Sequence, residues 1–507
     1  MNIIDRLVAQ LDPVRGLKRA QHRQALAFYE GAKPTKQRMR RTDNSSANTL
    51  VGASAAQLRA HARFLERNHD ISRGALRVMV NNIVGAAGIG VEPIPRRLDG
   101  TIHTEYATAL RAAYKARQKA PEVTGRYRGP LAQRLMAYTW LRDGECFAQQ
   151  LIGPVPFLEH GSAVPYSLEI FEPDFVPMDY DDLSKGIRQG IQANSWGKAT
   201  GYWVHKTDPR EMLNFADSSN LKMIPANRML HMATLDRLHQ RRGVSEFASV
   251  LTRLEDLKDY EESERIAAKI AASLTAYVKR VDKEAGYSPN VDATGRPIPR
   301  DLRMQPGMII DSLEVNEEIG MIDSNRPNPN LVTWRQGQLK AFAAGIGASY
   351  SSVSRDYDGT YSAQRQELVE QWVHYAVLAD EFVGMFVQPD YETFVQVAHL
   401  SGVVPTPSDV MPGTADDALY IGQSMPWIDP VKEANAWESL VKAGFASETE
   451  VIRKRGGNPR DVLDQVETFR DDAAKRGLVF SSNAANVPGA PIAGAPIPAD
   501  VDEDASK

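Results

Sequence analysis

"SRDYDGTYSAQRQELVEQW", residues 354–372, joins two very different kinds of chain. Its first half is a polar, bendable run of Asp, Tyr, Gly, Thr and Ser. Its second half opens an amphipathic helix at Ser362, whose hydroxyl can accept hydrogen bonds from the free backbone N–H groups of the first turn. Leu368, Val369, Trp372, Val373, Tyr375, Ala376 and Ala379 then recur at helical spacing, which predicts a broad buried face on a helix running to about Val387. Residues 331–346 read as another helix on the far side of the loop. Two strong helices are thus joined by a polar, bendable segment, and neither half of the stretch looks catalytic.

The helix expected before them is longer still. Residues 246–280 carry Phe247, Val250, Leu254 and Leu257 at spacings of three and four, then Ile266, Ile270, Leu274 and Tyr277. At 1.5 Å per residue it would span roughly 50 Å, more than a compact domain needs, so it calls for neighbours along its length. Between its apolar patches "EDLKDYEESER" is predominantly acidic. Residues 149–232 alternate apolar and polar positions between Pro and Gly turns, the pattern of an antiparallel sheet. Residues 54–84 and 104–148 read as helical. Gly85, Gly88 and Gly90 read as a helix stop leading into a strand, because no strand precedes them as a dinucleotide fingerprint requires. The fold class is therefore α+β.

Beyond residue 428 three short helices are marked by their own caps: Asp429 before Pro430, Ser447 with Glu450, and Asn458 before Pro459. Residues 479–507 repeat GAPI and end acidic, which predicts disorder. Residues 1–48 are rich in Lys and Arg and read as a partly helical arm. The chain as a whole has 60 basic and 64 acidic residues, a net charge of −4, which favours neither nucleic acid nor anionic membrane as a bulk partner. No run of eighteen apolar residues occurs, so no membrane span is expected.

Catalytic chemistry is hard to place. Cys146 is the single cysteine, which excludes an internal disulfide and matches a reducing compartment; its setting in "LRDGECFAQQ" reads as a small buried apolar residue. There is no GxxxxGK[ST], no HExxH and no GxSxG. His231 and His239 are eight apart, as are His61 and His69, too far for a zinc pair on one helical turn. The cluster Asp179 to Asp182 lacks the glycine and terminal glutamate of a calcium loop. Asp143 and Glu145 are a carboxylate pair, but as alternate strand residues they would face opposite ways. Neither metal nor cofactor is expected.

Several separated blocks, in one order, resemble the portal proteins of lambda-type tailed bacteriophages. They are "RRGVSEFASVLTRLEDLKDYEESERIAAKIAAS", "QPGMIIDSLEVNEEIGMIDSNRPNPN", "LKAFAAGIGASYSSVSRDYDGTYSAQRQELVEQW" and "DPVKEANAWESLVKAGFASETEVIRKRGGNPRDVL". The resemblance runs from about residue 50 to 478. It implies a ring, usually of twelve copies, at one capsid vertex, through which double-stranded DNA is packaged and later ejected. The division it implies is an arm (1–48), a wing of helices and sheet (49–245), a first stem helix (246–280), a clip (281–327), a second stem helix (328–346) and a tunnel loop (347–361). A channel-backing helix returning to the wing (362–428), a helical crown (429–478) and a tail (479–507) complete it.

On this resemblance the DNA-facing residues are Ser351, Ser352, Ser354, Arg355, Asp356, Tyr357, Asp358, Gly359, Thr360 and Tyr361. Arg355 would meet phosphate while Asp356 and Asp358 keep the grip weak, and Gly359 would let the loop move. Phe247, Val250, Leu254, Leu257, Ile266, Ile270 and Leu274 would pack stems of neighbouring subunits. The implied partners are further copies, duplex DNA without sequence preference, the terminase large subunit at the clip, the major capsid protein and scaffold, and head completion or adaptor proteins. Assembly in the host cytoplasm and residence in the virion follow. Two other readings are a helical hydrolase or transferase using Asp143, Glu145 or His231, and a different phage structural protein such as a tail or scaffold component.

Overall fold

The computed structural model describes residues 12, 14–15, 44–210, 220–272, 276–280, 293–294, 317–321, 328, 330–425, 429–478 and 480. The chain falls into two compact units, Met1–Leu50 and Val51–Lys507. In the first, the Asp12 carboxylate accepts from the N–H groups of Val14 and Arg15, and Ser46 Oγ accepts from Thr49 N. The rest of the expected arm, almost all of the expected clip and tail, and Leu274 lie outside the described residues.

Helices α1 (Ala47–Asn68) and α2 (Asp70–Ile83) lead through the Gly85–Gly88 stop to strand β1 (Gly90–Pro93), as the glycine spacing indicated. After α3 (Thr104–Arg117) and α4 (Gly129–Asp143) come β2 (Glu145–Ile152), β3 (Tyr166–Phe171), β4 (Ile187–Arg188), β5 (Ile191–Ala193), β6 (Ala199–His205), β7 (Leu221–Pro225) and β8 (Met229–Ala233). The strands form two antiparallel sheets, ordered β3-β2-β8 and β4-β5-β6-β7. Helix was expected through residue 148, but it stops at Asp143. Gly144 adopts a left-handed conformation (φ 92°), and a Cβ there would lie 2.3 Å from the Val244 carbonyl carbon, so only glycine allows the turn.

The first long rod is shorter than expected. Helix α5 is Leu251–Ala272, 22 residues and about 33 Å, and residues 276–280 form strand β9 (Ala276–Arg280) rather than more helix. β9 pairs antiparallel with β10 (Glu317–Met321), placing Val278 opposite Ile319. Non-local pairing here overrides the helical period. Helix α6 (Leu331–Gly345) runs beside α5, tied by Arg335 Nε to Glu261 at 2.6 Å, Arg253 Nη1 to Gln338 at 2.6 Å, and Trp334 against Tyr260.

The expected subunit-packing stripe is largely internal. Phe247, Val250, Leu254 and Leu257 are 3, 4, 0 and 1 % exposed, and the first three sit in one core with Phe342 and Ile346. Their apolar period is satisfied within the chain, so they are not free to pack a neighbour. Ile266 is 51 % exposed, and the side chain of Ile270 is outside the described residues.

Helix α7 (Tyr350–Ser354) is a short turn inside the expected loop, followed by α8 (Tyr361–Phe382). The cap of α8 is Thr360, whose hydroxyl accepts from Ala363 N, not Ser362. Its buried residues are Gln371, Tyr375, Leu378 and Phe382; Val369, Val373 and Ala376, expected inside, are exposed. The helix does not end at 387 either. A π turn (Val383–Val387) carries it into α9 (Gln388–Leu400). Pro389 lacks the N–H that an α turn would use, and the wider π turn accommodates that gap without breaking the rod.

Strand β11 (Ala418–Ile421) returns to pair with β1. Helices α10 (Pro430–Lys442), α11 (Glu448–Lys454) and α12 (Pro459–Lys475) start where their caps indicated: Asp429, Ser447 and Asn458 side chains accept from Lys432 N, Glu450 N and Arg460 N. The Glu450 carboxylate pairs with Lys454 at 2.9 Å instead of closing the box on Ser447.

Candidate functional site

Gly347, in the left-handed region (φ 63°) and tight against the His374 ring, turns the chain out of α6. Ser349 caps α7 by accepting from Ser352 N, and Arg355, also left-handed (φ 59°), ends it. Six residues, Arg355 to Thr360, then make the loop proper. Bending therefore resides at Gly347 and Arg355. Gly359 has no left-handed backbone, and a Cβ there would make only ordinary contact with Gln364 at 3.6 Å.

The expected DNA-facing residues divide into a held base and an exposed tip. Ser351 is buried, and Ser352 and Ser354 are half-buried. Glu367 accepts from Ser351 N at 3.2 Å and from Ser351 Oγ at 2.8 Å; Gln371 Oε1 accepts from Ser349 N at 2.7 Å; Gln364 Nε2 donates to the Tyr357 carbonyl. Inside the loop Tyr350 donates to Asp356 at 2.9 Å, and burial followed by that bond pushes its phenol pKa up. Arg355, Tyr357, Asp358, Gly359, Thr360 and Tyr361 are exposed. Among the described residues, neither the Arg355 guanidinium nor the Asp358 carboxylate has an ion-pair partner.

The three latching side chains, Gln364, Glu367 and Gln371, are spaced three and four and share one face of α8. That polar stripe is legible in the sequence, where only the apolar stripe drew notice. The loop and α8 enclose a cleft of about 640 Å³, floored by Ala343 and Ala344 and walled by Lys340 and His374. Glu367→Ala is expected to leave the helices intact and speed amide exchange of residues 349–358 about tenfold, since bonds to a charged acceptor are worth about 1.5–3 kcal/mol. Exchange unchanged from wild type would show that the loop is held elsewhere.

The candidates for catalysis are consumed structurally. Glu145, fully buried, accepts from Arg242 Nη2 (2.7 Å), Arg242 Nε (2.9 Å), Gly243 N (3.0 Å) and Arg59 Nη2 (3.2 Å), with His231 Nε2 at 3.2 Å. Burial opposes its ionisation, but Arg242 and His231 outweigh it and hold the carboxyl well below the usual range. Asp143 takes Arg63 at 2.5 Å, and Asp174 bridges Arg59 (3.0 Å) and Arg63 (2.6 Å). Asp143 and Glu145 thus share one network, contrary to the expectation that they face apart. They are not alternate residues of one strand: the left-handed Gly144 lies between a helix end and a strand start.

Arg59 and Arg63, one helical turn apart on α1, were not singled out in the sequence; their partners lie 80 to 115 positions away. His231 stacks on Phe147 at 4.3 Å. Cys146 is buried, and burial pushes its thiol pKa up, as its apolar setting implied. Asp182 caps the turn at Ser184 and Lys185, and Asp181 accepts from Gln189 N at 2.6 Å. Among the described residues no group of three or more His, Cys, Asp or Glu is arranged to hold a metal ion, and no helix is long and apolar enough to cross a membrane.

Comparison with known proteins places the chain. The model of the family described as phage portal protein, lambda family, matches residues 33–378. A probable portal protein of Halomonas phage phiHAP-1 is 22% identical over 444 residues, covering 84% of this chain and 82% of that protein. Portal protein B of Escherichia phage lambda is 20% identical over 307 residues, 56% of this chain and 58% of that protein. Among solved structures, a chain from the neck of an empty gene transfer agent particle is 11% identical with a TM-score of 0.41, covering 83% of this chain and 96% of that one.

Proposed function

The chain belongs to the lambda family of phage portal proteins, and from that membership we propose how its parts act on DNA. A portal is a structural component of the phage head-tail connector, not an enzyme. Copies of this chain close into a ring, and duplex DNA passes along the axis during packaging by the terminase and during ejection. The segment 355–361 projects from each copy into that channel. The clip that meets the terminase and later the head completion proteins begins at β9, near residue 276, and ends at about 327. Helices α10 to α12 form the crown toward the capsid interior, where the major capsid protein and scaffold surround the ring during assembly in the host cytoplasm.

The observation that carries this reading is the tip: one exposed cation, Arg355, beside the half-buried carboxylate of Asp356 and the exposed carboxylate of Asp358, on a base latched to α8. A channel must not retain what it conducts. Each phosphate neutralised by a fixed cation adds to affinity and to its salt dependence. A tip with more acid than base touches the duplex without gripping it, and it carries nothing that would read base edges.

The test replaces Asp358 with Arg and, separately, Gly359 with Trp, both at exposed positions. Light scattering should still give a particle of about 0.7 MDa, as about twelve copies of a 56.1 kDa chain require, and end-on images should show the opening. DNA packaged per particle should fall at least tenfold for either variant. Assembled rings that package as wild type does would remove the role assigned to the tip.

A further inference from the structure

Helix α2 packs against both α4 and α8, and Trp140 of α4 lies 6.2 Å from Phe382 of α8, so that Met79, Trp140, Tyr375 and Phe382 share one interior. In such a three-helix arrangement the outward face of one helix lies opposite the surface made by the other two. Both sides are uncovered in the single chain. On α8, Val369, Val373 and Val377 are 42, 64 and 53 % exposed, and their spacing of four puts them in one row. On the α2–α4 side Leu131 and Leu135 are 38 and 40 % exposed, again four apart. Apolar rows left open on two sides of a subunit mark contact surfaces.

The charges around the two rows are opposite in sign. Arg73, Arg77 and Arg128 stand exposed on the α2–α4 side, and Glu370, Asp380 and Glu381 on α8. None of the six has an ion-pair partner among the described residues. Glu381 is crowded instead by like charges, Asp380 beside it and Glu246 nearby, and burial followed by Asp380 pushes its pKa up. A single charge of the other sign sits toward the end of each row, Asp70 beside His69 and Arg365 near the start of α8.

The two sides also match along their length. Helices α4 and α8 run in the same sense: Trp140 and Phe382 meet near their ends, while further back Ile89 N donates to Gln133 Oε1 and Ile89 lines one cleft with Trp372 and Tyr375. Counting back from Trp140 and Phe382, Leu135 stands level with Val377, Leu131 with Val373 and Arg128 with Glu370. Helix α2 runs the other way, with Asn82 in that cleft and Arg77 beside Tyr138, which brings Arg77 level with Asp380. Rotation about a ring axis changes neither height nor distance from the axis, so residues at one level on one copy meet the same level on the next. A head-to-tail ring needs two such faces, different and complementary.

We infer, resting on the ring of the proposed function, that the outward face of α8 seats on the α2–α4 side of the next copy. Val373 and Val377 lie against Leu131 and Leu135, Arg77 meets Asp380 and Glu381, and Arg128 meets Glu370.

The experiment uses the full chain carrying Leu135→Cys and Val377→Cys together; Cys146 is buried and offers no accessible thiol. A short bismaleimide applied to assembled rings should give a ladder of linked chains reaching past the dimer under denaturing conditions, and rings of either single-cysteine variant should give none. Arg77→Glu alone, and Asp380→Arg with Glu381→Arg, should each lower the fraction of protein sedimenting as rings at least tenfold, with the circular dichroism of the chain unchanged. All three changes combined should recover most of that fraction. Normal assembly of both charge-reversed variants, a combination no better than its parts, or rings whose cysteine pair stays unlinked would overturn the interface while leaving the ring itself standing. Wild-type protein that never assembles would instead remove the ring, and this interface with it.

Discussion

Replacing Glu145 with Gln is expected to destabilise the protein by about 3–5 kcal/mol, the cost of removing one partner from a buried ion pair. Two guanidiniums converge on this carboxylate, and Arg242, fully buried, would keep only neutral acceptors, the new amide oxygen and the backbone carbonyls of Gln189 and Pro173. Urea unfolding reads the loss as a lowered midpoint. A second substitution, Arg242→Met, should recover part of it, because the penalty comes from the stranded cation. If the single variant unfolds at the wild-type midpoint, the network contributes nothing to stability.

The pH dependence follows with a definite sign. The folded-state pKa of Glu145 is depressed, so its contribution is fully present above the unfolded carboxyl value of about 4.3 and is lost as pH falls below it. The gap between wild type and Glu145→Gln should therefore be constant at neutral pH and shrink in acid. Asp174, depressed against burial by Arg59 and Arg63, adds to the same acid sensitivity.

Asp390→Ala is expected to be comparably severe, again about 3–5 kcal/mol. Asp390 takes both terminal nitrogens of Arg117 at 2.8 and 2.9 Å and the Tyr166 hydroxyl at 2.7 Å, and the guanidinium lies 4.2 Å over the Tyr166 ring. This one carboxylate fastens α9, directly after the π turn, to α3 and β3. Without it Arg117, 1 % exposed, is a buried charge without a counterion. Asp390→Leu combined with Arg117→Met should restore much of the loss, since apolar residues of similar volume replace buried pairs well. Amide exchange along 388–400 should rise in the single variant and return toward wild type in the double; equal exchange in both would place the anchor of the rod elsewhere.

Much of the architecture was legible because the signals that set it are local. The caps at Asp429, Ser447 and Asn458 act within three residues of themselves, and the strand alternation of 149–232 has period two whatever lies across the sheet. The Gly85–Gly88 stop is likewise a matter of a few dihedrals. Those features belong to the sequence alone, as does the order of rods and loop on which the family resemblance rested.

Tertiary structure decided the rest, where one segment's state depends on a distant partner. Residues 276–280 have a helical period, yet pair with 317–321 as strand. Phe247, Val250, Leu254 and Leu257 have the spacing of an outward stripe, yet are buried in their own chain, most of them in one core with Phe342 and Ile346. Asp143 and Glu145 looked opposed until Gly144 turned between them and Arg59, Arg63 and Arg242 arrived from 80 to 100 positions away. Periodicity tells which side of an element is apolar but carries no information about which surface will cover it, and a charge announces itself in sequence while its counterion, chosen only when the chain closes on itself, does not.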